Sequence, residues 1–349
     1  MARAHTAEAT HTDGDGRGPS GFFSRRSGGG LRGLLGRGGG GMWRRGLVLA
    51  ALVVLLALVF MLHSKIPNSI GNLGSLWETF LPWGGLLIVV LLALAALRRS
   101  ATALVALLLP ILVWVNLFGG LLTDKAKAGE GDLTVVTHNV NAENSNPSGT
   151  ARDIAGTGAD VVALEEVSGR QSGVYTKALA AKYPYHKLTG TVGLWSKYPM
   201  DDVRTVDIKM GWPRAMRATV DTPKGEVAVY VAHLPSVRVK FRAGFTAGQR
   251  DDSADALGDA IARDKTGKVV LLGDLNGTMN DRALAPITSQ MRSAQGAAGS
   301  GFGFTWPASF PMARIDQIMV KGVEPVSART LSATGSDHLP IAASLKLTD

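Results

Sequence analysis

Lys268-Val-Val-Leu-Leu-Gly-Asp-Leu-Asn-Gly-Thr278 is the stretch on which the reading of the fold turns. Val269 to Leu272 form a short continuous apolar run, the signature of a strand buried on both faces. The run ends at Gly273, and Asp274 and Asn276 follow two residues apart. In an extended chain that spacing puts both side chains on one face. A carboxylate and a carboxamide side by side at a strand end can position a water and hold a phosphate oxygen. The plain alternative is a turn, because Gly, Asp and Asn are ordinary turn formers. The rest of the chain has to decide between the two.

Working outward, the same pattern recurs. Leu133–Thr137 reads as a strand ending in His138-Asn139-Val140-Asn141. Residues 148–158 suit a helix, and Val161–Leu164 a second strand that delivers Glu165 and Glu166. Another helix is expected over 172–182. Strand-like segments follow near 186–189, 192–195, 203–208, 216–221 and 227–232, the last ending in His233-Leu234-Pro235-Ser236. A helix over 247–263 leads into the central strand. After a Gly- and aromatic-rich loop (296–311) come Ile315–Val320 with Asp316, then 326–331, then Asp337-His338-Leu339-Pro340 and a closing strand. Many strands with interspersed helices predict an α/β fold, with sheets packed face to face and helices outside. Five or six strands ending in ionisable groups predict one pocket lined by convergent strand ends.

The chemistry of that set is specific. Glu166 and Asp337, with Asn139, are hard oxygen ligands of the kind Mg²⁺ takes, with Mn²⁺ the alternative ion. A metal there polarises a phosphoryl oxygen and stabilises a leaving oxyanion. His338 suits a partner to the phosphoryl group, with Asp316 as the carboxylate that orients it. Asp274 would align or deprotonate the attacking water, while Asn276 and His233 donate hydrogen bonds to the phosphate. Plainer readings stand beside these. Glu165 is expected to be a solvated strand end, and His138 and His186 to be structural. Arg214 and Arg217 suit either a substrate phosphate or a charged surface strand, and His233 could cap a loop.

The N-terminal third is different in kind. Three apolar stretches, 46–62, 79–97 and 101–122, are each near the length that crosses a bilayer. Arg44 and Arg45 precede the first, and Arg98 and Arg99 separate the second from the third. The positive-inside rule then puts the N-terminus in the cytoplasm and the chain after about residue 123 outside the cell membrane. The formal charge of +9 is concentrated at this end, with eight Arg against three acids in residues 1–45. Residues 46–100 add three bases against one acid, leaving only +2 for the remainder. The domains expected are a disordered basic cytoplasmic tail (1–45), three transmembrane helices, a linker (123–131) and a catalytic domain (132–349). A near-neutral catalytic domain gives no footprint for nucleic acid, and no protein partner is identifiable. The chain has no Cys, so disulfides and thiolate metal sites are excluded.

Taken together, the segments His-Asn139-Val, Asp160-Val-Val-Ala-Leu-Glu-Glu166-Val, Ser196-Lys-Tyr-Pro, His233-Leu, Gly-Asp274-Leu-Asn276, Arg314-Ile-Asp316 and Ser-Asp337-His338-Leu-Pro resemble the endonuclease/exonuclease/phosphatase superfamily. They occur in the family's order across residues 132–349. The resemblance implies a two-sheet α/β sandwich of the exonuclease III and DNase I kind, and Mg²⁺-dependent phosphoric ester or anhydride hydrolysis. It puts Asn139, Glu166 and Asp337 at the metal, Asp274, Asn276 and His233 at the nucleophile and phosphate, and Asp316 paired with His338. Glu165 replaces the usual Gln, Gly277 stands where Ala is common, and Gly193-Leu-Trp lacks the usual Asn-Ala. Three spans before such a domain resemble the VanJ-type actinomycete membrane proteins linked to glycopeptide resistance. Tethering beside the headgroups makes a membrane lipid or lipid-linked phosphate, such as a polyprenyl pyrophosphate, the expected substrate, with an extracellular nuclease or phosphodiesterase and a non-catalytic module binding a cell-wall precursor or antibiotic as the alternatives.

Overall fold

A computed structural model describes residues 41–69, 71–240 and 244–347 of the chain. The expected disorder of the tail falls outside these residues, except for 41–45, which are in and beside a turn. The apolar stretches fold into α1 (Leu47–Met61), α2 (Leu73–Thr79), α3 (Gly85–Leu97), α4 (Ala101–Ala106) and α5 (Leu108–Phe118). Ala101–Leu121 runs as one helix of 21 residues, the one helix among the described residues long and apolar enough to cross a bilayer.

The structure does not show three crossings. α1 has 15 residues, roughly 22 Å of helix against a hydrocarbon core of about 30 Å. The second stretch, 79–97, meets the preceding helix Leu73–Thr79 at an 80° bend and continues as Leu81–Leu97. Pro82 cannot donate to a continuing helix there, and Leu81–Gly84 tightens into a 3-10 turn. Glu78 gives a second reason. It is fully buried and takes Arg282 Nε on both carboxylate oxygens at 3.1 Å. This ion pair fastens α2 to the sheet-bearing part of the chain.

The sheets are built from β1 (Leu133–Asn139), β2 (Val161–Glu165), β3 (Tyr185–Thr189), β4 (Val192–Ser196), β5 (Met200–Thr205), β6 (Ala215–Thr222), β7 (Gly225–His233), β8 (Arg238–Lys240), β9 (Gly244–Thr246), β10 (Val269–Asp274), β11 (Arg292–Ser293), β12 (Asp316–Lys321), β13 (Glu324–Thr330) and β14 (Ile341–Lys346). One six-stranded sheet has the order β13-β14-β1-β2-β4-β3, the other β11-β12-β10-β7-β6-β5; β8 and β9 form a separate hairpin. Alternate residues of the strands, such as Val135, Ala163, Val229, Val231, Val270, Leu272 and Ile318, meet between the sheets. The outer face of the first sheet is covered by α6 (Pro147–Gly156) and α7 (Gly169–Leu179), whose Ile154, Tyr175 and Leu179 pack on Val136, Val162 and Leu164. The outer face of the second is covered by α8 (Gly248–Arg263) and α9 (Ala285–Thr288), through Leu257, Ile261 and Ile287. A last short helix, α10 (Ala294–Ala298), lies against β13 and β12.

The expected strand over 203–208 lies earlier, at Met200–Thr205. Asp207 explains the shift, because its carboxylate accepts the Lys209 N–H at 2.8 Å and Lys209 turns to φ 59°. That local turn stops the ladder.

Gly273 decides how the central strand ends. Its φ is +145°, and a Cβ there would lie 1.9 Å from the Ala232 carbonyl oxygen on the neighbouring strand. Only glycine lets β10 stay in register with β7 while its end turns. Gly273→Ala should cost on the order of 2–3 kcal/mol in denaturant unfolding and lower activity with it.

Candidate active site

The sandwich core continues into the site. Val135 and Thr137 of β1 share a face with Asn139, and Val161 and Ala163 of β2 share one with Glu165. The same step of two carries Val231 to His233, Leu272 to Asp274 and Ile318 to Asp316. Register then aligns them. Asp274 is paired with His233 on one side and Asp316 on the other, while Asn139 is paired with Glu165 in the facing sheet. All five are buried. The candidate site is thus the polar end of the apolar rows between the two sheets. Glu166, Asn141 and Asn276 follow the strand ends in the left-handed conformation, at φ 59°, 60° and 46°, and these reversals turn the chain over the pocket.

Asp274 is the hub. Its Oδ2 accepts Asn139 Nδ2 at 3.0 Å and Asn276 Nδ2 at 3.2 Å, and its Oδ1 accepts the Asn276 N–H at 2.9 Å. Asn276 Nδ2 also donates to Leu234 O at 2.9 Å. Both amide hydrogens are therefore engaged, and Asn276 acts here by fixing the Asp274 carboxylate. Burial and the neighbouring Asp316 push the Asp274 carboxyl up to about 7, against the pull of His338.

His338 Nδ1 meets Asp316 Oδ2 at 2.9 Å, and its Nε2 faces Asp274 Oδ2 at 3.9 Å. Burial works against its charge, but Asp316 and Asp274 outweigh it and raise the imidazole to about 10. His338 is therefore an imidazolium at neutral pH. His233 is the opposite case: burial, Arg214 and His338 hold it well below its ordinary value, so it is neutral. Its Nε2 lies 3.6 Å from Glu166 Oε1 and 3.7 Å from Asp274 Oδ2. Two histidines in one pocket thus carry different charges because only one has a carboxylate on Nδ1.

Asp274, Asp316 and His338 are one cluster, among the described residues, whose ligand atoms lie within 4.8 Å of one another. Within it His338 Nδ1 is already engaged by Asp316 at 2.9 Å, so the imidazole faces the cluster with Nε2 alone. The oxygen donors fit better at the mouth. Glu166 is one-third exposed, with Oε1 3.2 Å from Asn139 Nδ2 and Oε2 3.1 Å from the Ala142 N–H. Asp337, also exposed, accepts Asn141 Nδ2 at 2.9 Å. These are hard donors beside a buried carboxylate whose charge is incompletely compensated, the setting in which a divalent cation is favoured. Glu166, with Asn139 and Asp337, would hold it.

Glu165 corrects the expectation of a solvated strand end. It is fully buried, accepts the Thr137 hydroxyl at 2.8 Å, and burial raises its carboxyl well above the usual range. A neutral carboxylic acid has nearly the shape and hydrogen-bonding capacity of the amide that the resemblance expects there. The period-two alternation of β2 was the available signal. Arg250 carried no such signal. It is buried beneath the loop, donates to Asn276 O at 2.8 Å and pairs with Asp281 at 2.7 Å. A Cβ on Gly277 would approach Arg250 Nη1 to 2.5 Å, which accounts for glycine in place of alanine. Arg214 lies beside the pocket, with its guanidinium over Trp212 and Nη2 3.4 Å from Leu234 O. Arg217 is elsewhere, paired with Asp202 and Asp264. His138 is buried against Thr334, and His186 is exposed and stacked on Trp195.

The family model described as the endonuclease/exonuclease/phosphatase family matches residues 136–338, more than half of the chain. The chain belongs to that family. It is accordingly a hydrolase of phosphoric esters, of a family whose members use divalent metal. No curated protein matches it by sequence. Solved structures match the fold, each covering 61–62% of this chain. A family protein from Bacteroides vulgatus is 19% identical over 99% of its own length, with a TM-score of 0.52. A Staphylococcus aureus beta toxin mutant with bound magnesium ions is 16% identical over 99%, at 0.51. The mannosyl-6-phosphatase of Bacteroides thetaiotaomicron is 18% identical over 99%, at 0.50.

With Asp274 as the base and His338 as the cation at the phosphate, the roles the resemblance implies, their opposite charge requirements define a pH window. A base must be ionised, so kcat/KM should fall about tenfold per unit below about pH 7 as Asp274 takes up a proton. It should fall again above about pH 10 as His338 loses its own. His338→Ala should reduce kcat by about 10²- to 10⁴-fold and remove the alkaline limb from the profile.

Proposed function

We propose that the protein is a membrane-anchored, Mg²⁺-dependent phosphohydrolase whose pocket faces out of the cell and takes a phosphorylated lipid. A polyprenyl pyrophosphate of cell-wall synthesis is the leading substrate, and a role in glycopeptide resistance is proposed with it from the sequence's resemblance to VanJ-type proteins alone. The observation that carries the reading is the clamp between the apolar helices and the loops of the site. Thr278, two residues beyond Asn276, donates to Glu78 O at 3.2 Å, and Arg282 reaches Glu78, Ile66 O and His63 O. Trp83 Nε1 donates to Met312 O at 2.8 Å and its ring stacks on Phe304. The same loop donates Ala308 N–H to Asp337 O at 2.7 Å. Leu47, Leu86, Val89, Leu97 and Leu112 project outward from the helices, a surface that hydrocarbon accommodates and water does not. Tethered in this way, the pocket meets lipid phosphates at high effective concentration. The near-neutral sheet-bearing part offers no comparable attraction for nucleic acid.

In this reading Asp274, held by Asn139 and Asn276, accepts a proton from the attacking water. The His338 imidazolium, aligned by Asp316, faces the phosphoryl oxygens as their charge develops. Neutral His233 adds a hydrogen bond without repelling His338. A divalent cation at Glu166, when bound, adds the positive charge that polarises the phosphoryl group and stabilises the leaving oxygen.

Full-length protein reconstituted in lipid should release phosphate from polyprenyl pyrophosphate with Mg²⁺ and not with chelator. Release no greater than that of His338→Ala would overturn the lipid-pyrophosphate reading. Because the chain lacks Cys, one introduced at exposed Ser332 should react with an impermeant thiol reagent on intact cells. Reaction only after lysis would reverse the orientation.

A further inference from the structure

Two adjoining cavities run along the seam between the N-terminal helices and the sheet-bearing part, outside the catalytic cluster. The larger, about 520 Å³, is lined almost wholly by carbon, including Leu86, Val89 and Trp114. The smaller, about 270 Å³, is bordered by Thr278, Asn280, Ser293 and Arg314. They share Pro82, Phe302 and Phe304, so the apolar groove and the polar end adjoin at these two phenylalanines. That polar end is built from the chain leaving Asn276 and the chain entering Asp316.

Arg314 is the unexplained group. It is 8% exposed, and its Nη1 is buried without a hydrogen-bond partner. Among the described residues no carboxylate forms an ion pair with it, and burial alone depresses its pKa to about 10. A buried guanidinium without a counter-charge is costly, and its planar fork suits a phosphate. Asp316, two residues on, is committed to His338.

We propose that this paired cavity seats an anionic lipid, the hydrocarbon tail in the groove beneath Phe302 and Phe304 and a phosphate oxygen on Arg314. The assignment rests on the lipid-phosphate reading and adds a seat for an anionic lipid beside the candidate site and what selects it. Carbon lining selects a chain, the lone cation selects an anion, and an uncharged lipid leaves Arg314 unpaired. The groove opens on the lipid-facing sides of α3 and α5, where Leu86, Val89 and Val115 are exposed, so a tail enters from the bilayer without crossing water.

The test is photolabelling of the full-length protein in nanodiscs with dodecyl phosphate bearing a diazirine at the chain end, followed by peptide mapping. Label is expected on 81–89, 111–115 and 302–304, competed by unlabelled dodecyl phosphate and not by dodecanol. Arg314→Met should reduce it at least tenfold, with partial recovery in Arg314→Lys. Leu86→Trp, on an exposed helix face, should narrow the groove and give the same loss if Arg314→Met does not fold. Label spread evenly along the lipid-facing helices, or competed equally by dodecanol, would overturn the proposal. Labelling does not require turnover. Labelling without phosphate release would therefore remove the proposed activity and keep the site, and release without labelling the reverse.

Discussion

The pairing of His338 with Asp316, buried beside Asp274, is the interaction on which the site depends. Two carboxylates enclosed at the end of an apolar core would repel each other, and one imidazolium between them offsets that repulsion. The 2.9 Å contact to Asp316 keeps His338 charged, and the charge in turn moderates Asp274. Remove it, and Asp274 would lose its main stabilising neighbour and its readiness to act as a base. The other charges fall in line with this choice. Burial, with Arg214 and His338, holds the His233 imidazole well below its ordinary value, and burial raises the Glu165 carboxyl well above its own.

That arrangement needs strand ends held level to within a fraction of a residue. A slip of one residue in β10 would turn Asp274 out of the sandwich and bring Gly273 in. Gly273 and the left-handed Asn276 let the chain leave the strand abruptly, and Arg250 anchors the departing loop from below. Precision at Asp274 is therefore supplied by Gly273, Asn276 and Arg250.

The helices meet the sheets where the site loops emerge. Glu78–Arg282 and Trp83–Met312 join the two parts through specific polar contacts, with Phe302 packed into the helical core. This makes the loop from 302 to 312 a shared wall, one side toward the helices and the other toward Asp337 and Leu339.

The sandwich and the polar strand ends were legible in the sequence, because period-two burial writes itself into alternating residues; the order of the strands within each sheet was not. Asp274, Asp316, His233 and Asn139 could be named for that reason. Three things needed the tertiary structure. Glu165 was misread because a carboxylate at a strand end is ordinarily solvated, and only the facing sheet closes over it. The break at Pro82 was hidden because hydropathy counts apolar residues and does not register a bend or a buried ion pair. Arg250 was silent because an arginine's meaning lies in what surrounds it. The sequence by itself determined which residues could face the core. The packing of the second sheet, and of the helices against it, decided which of them are charged.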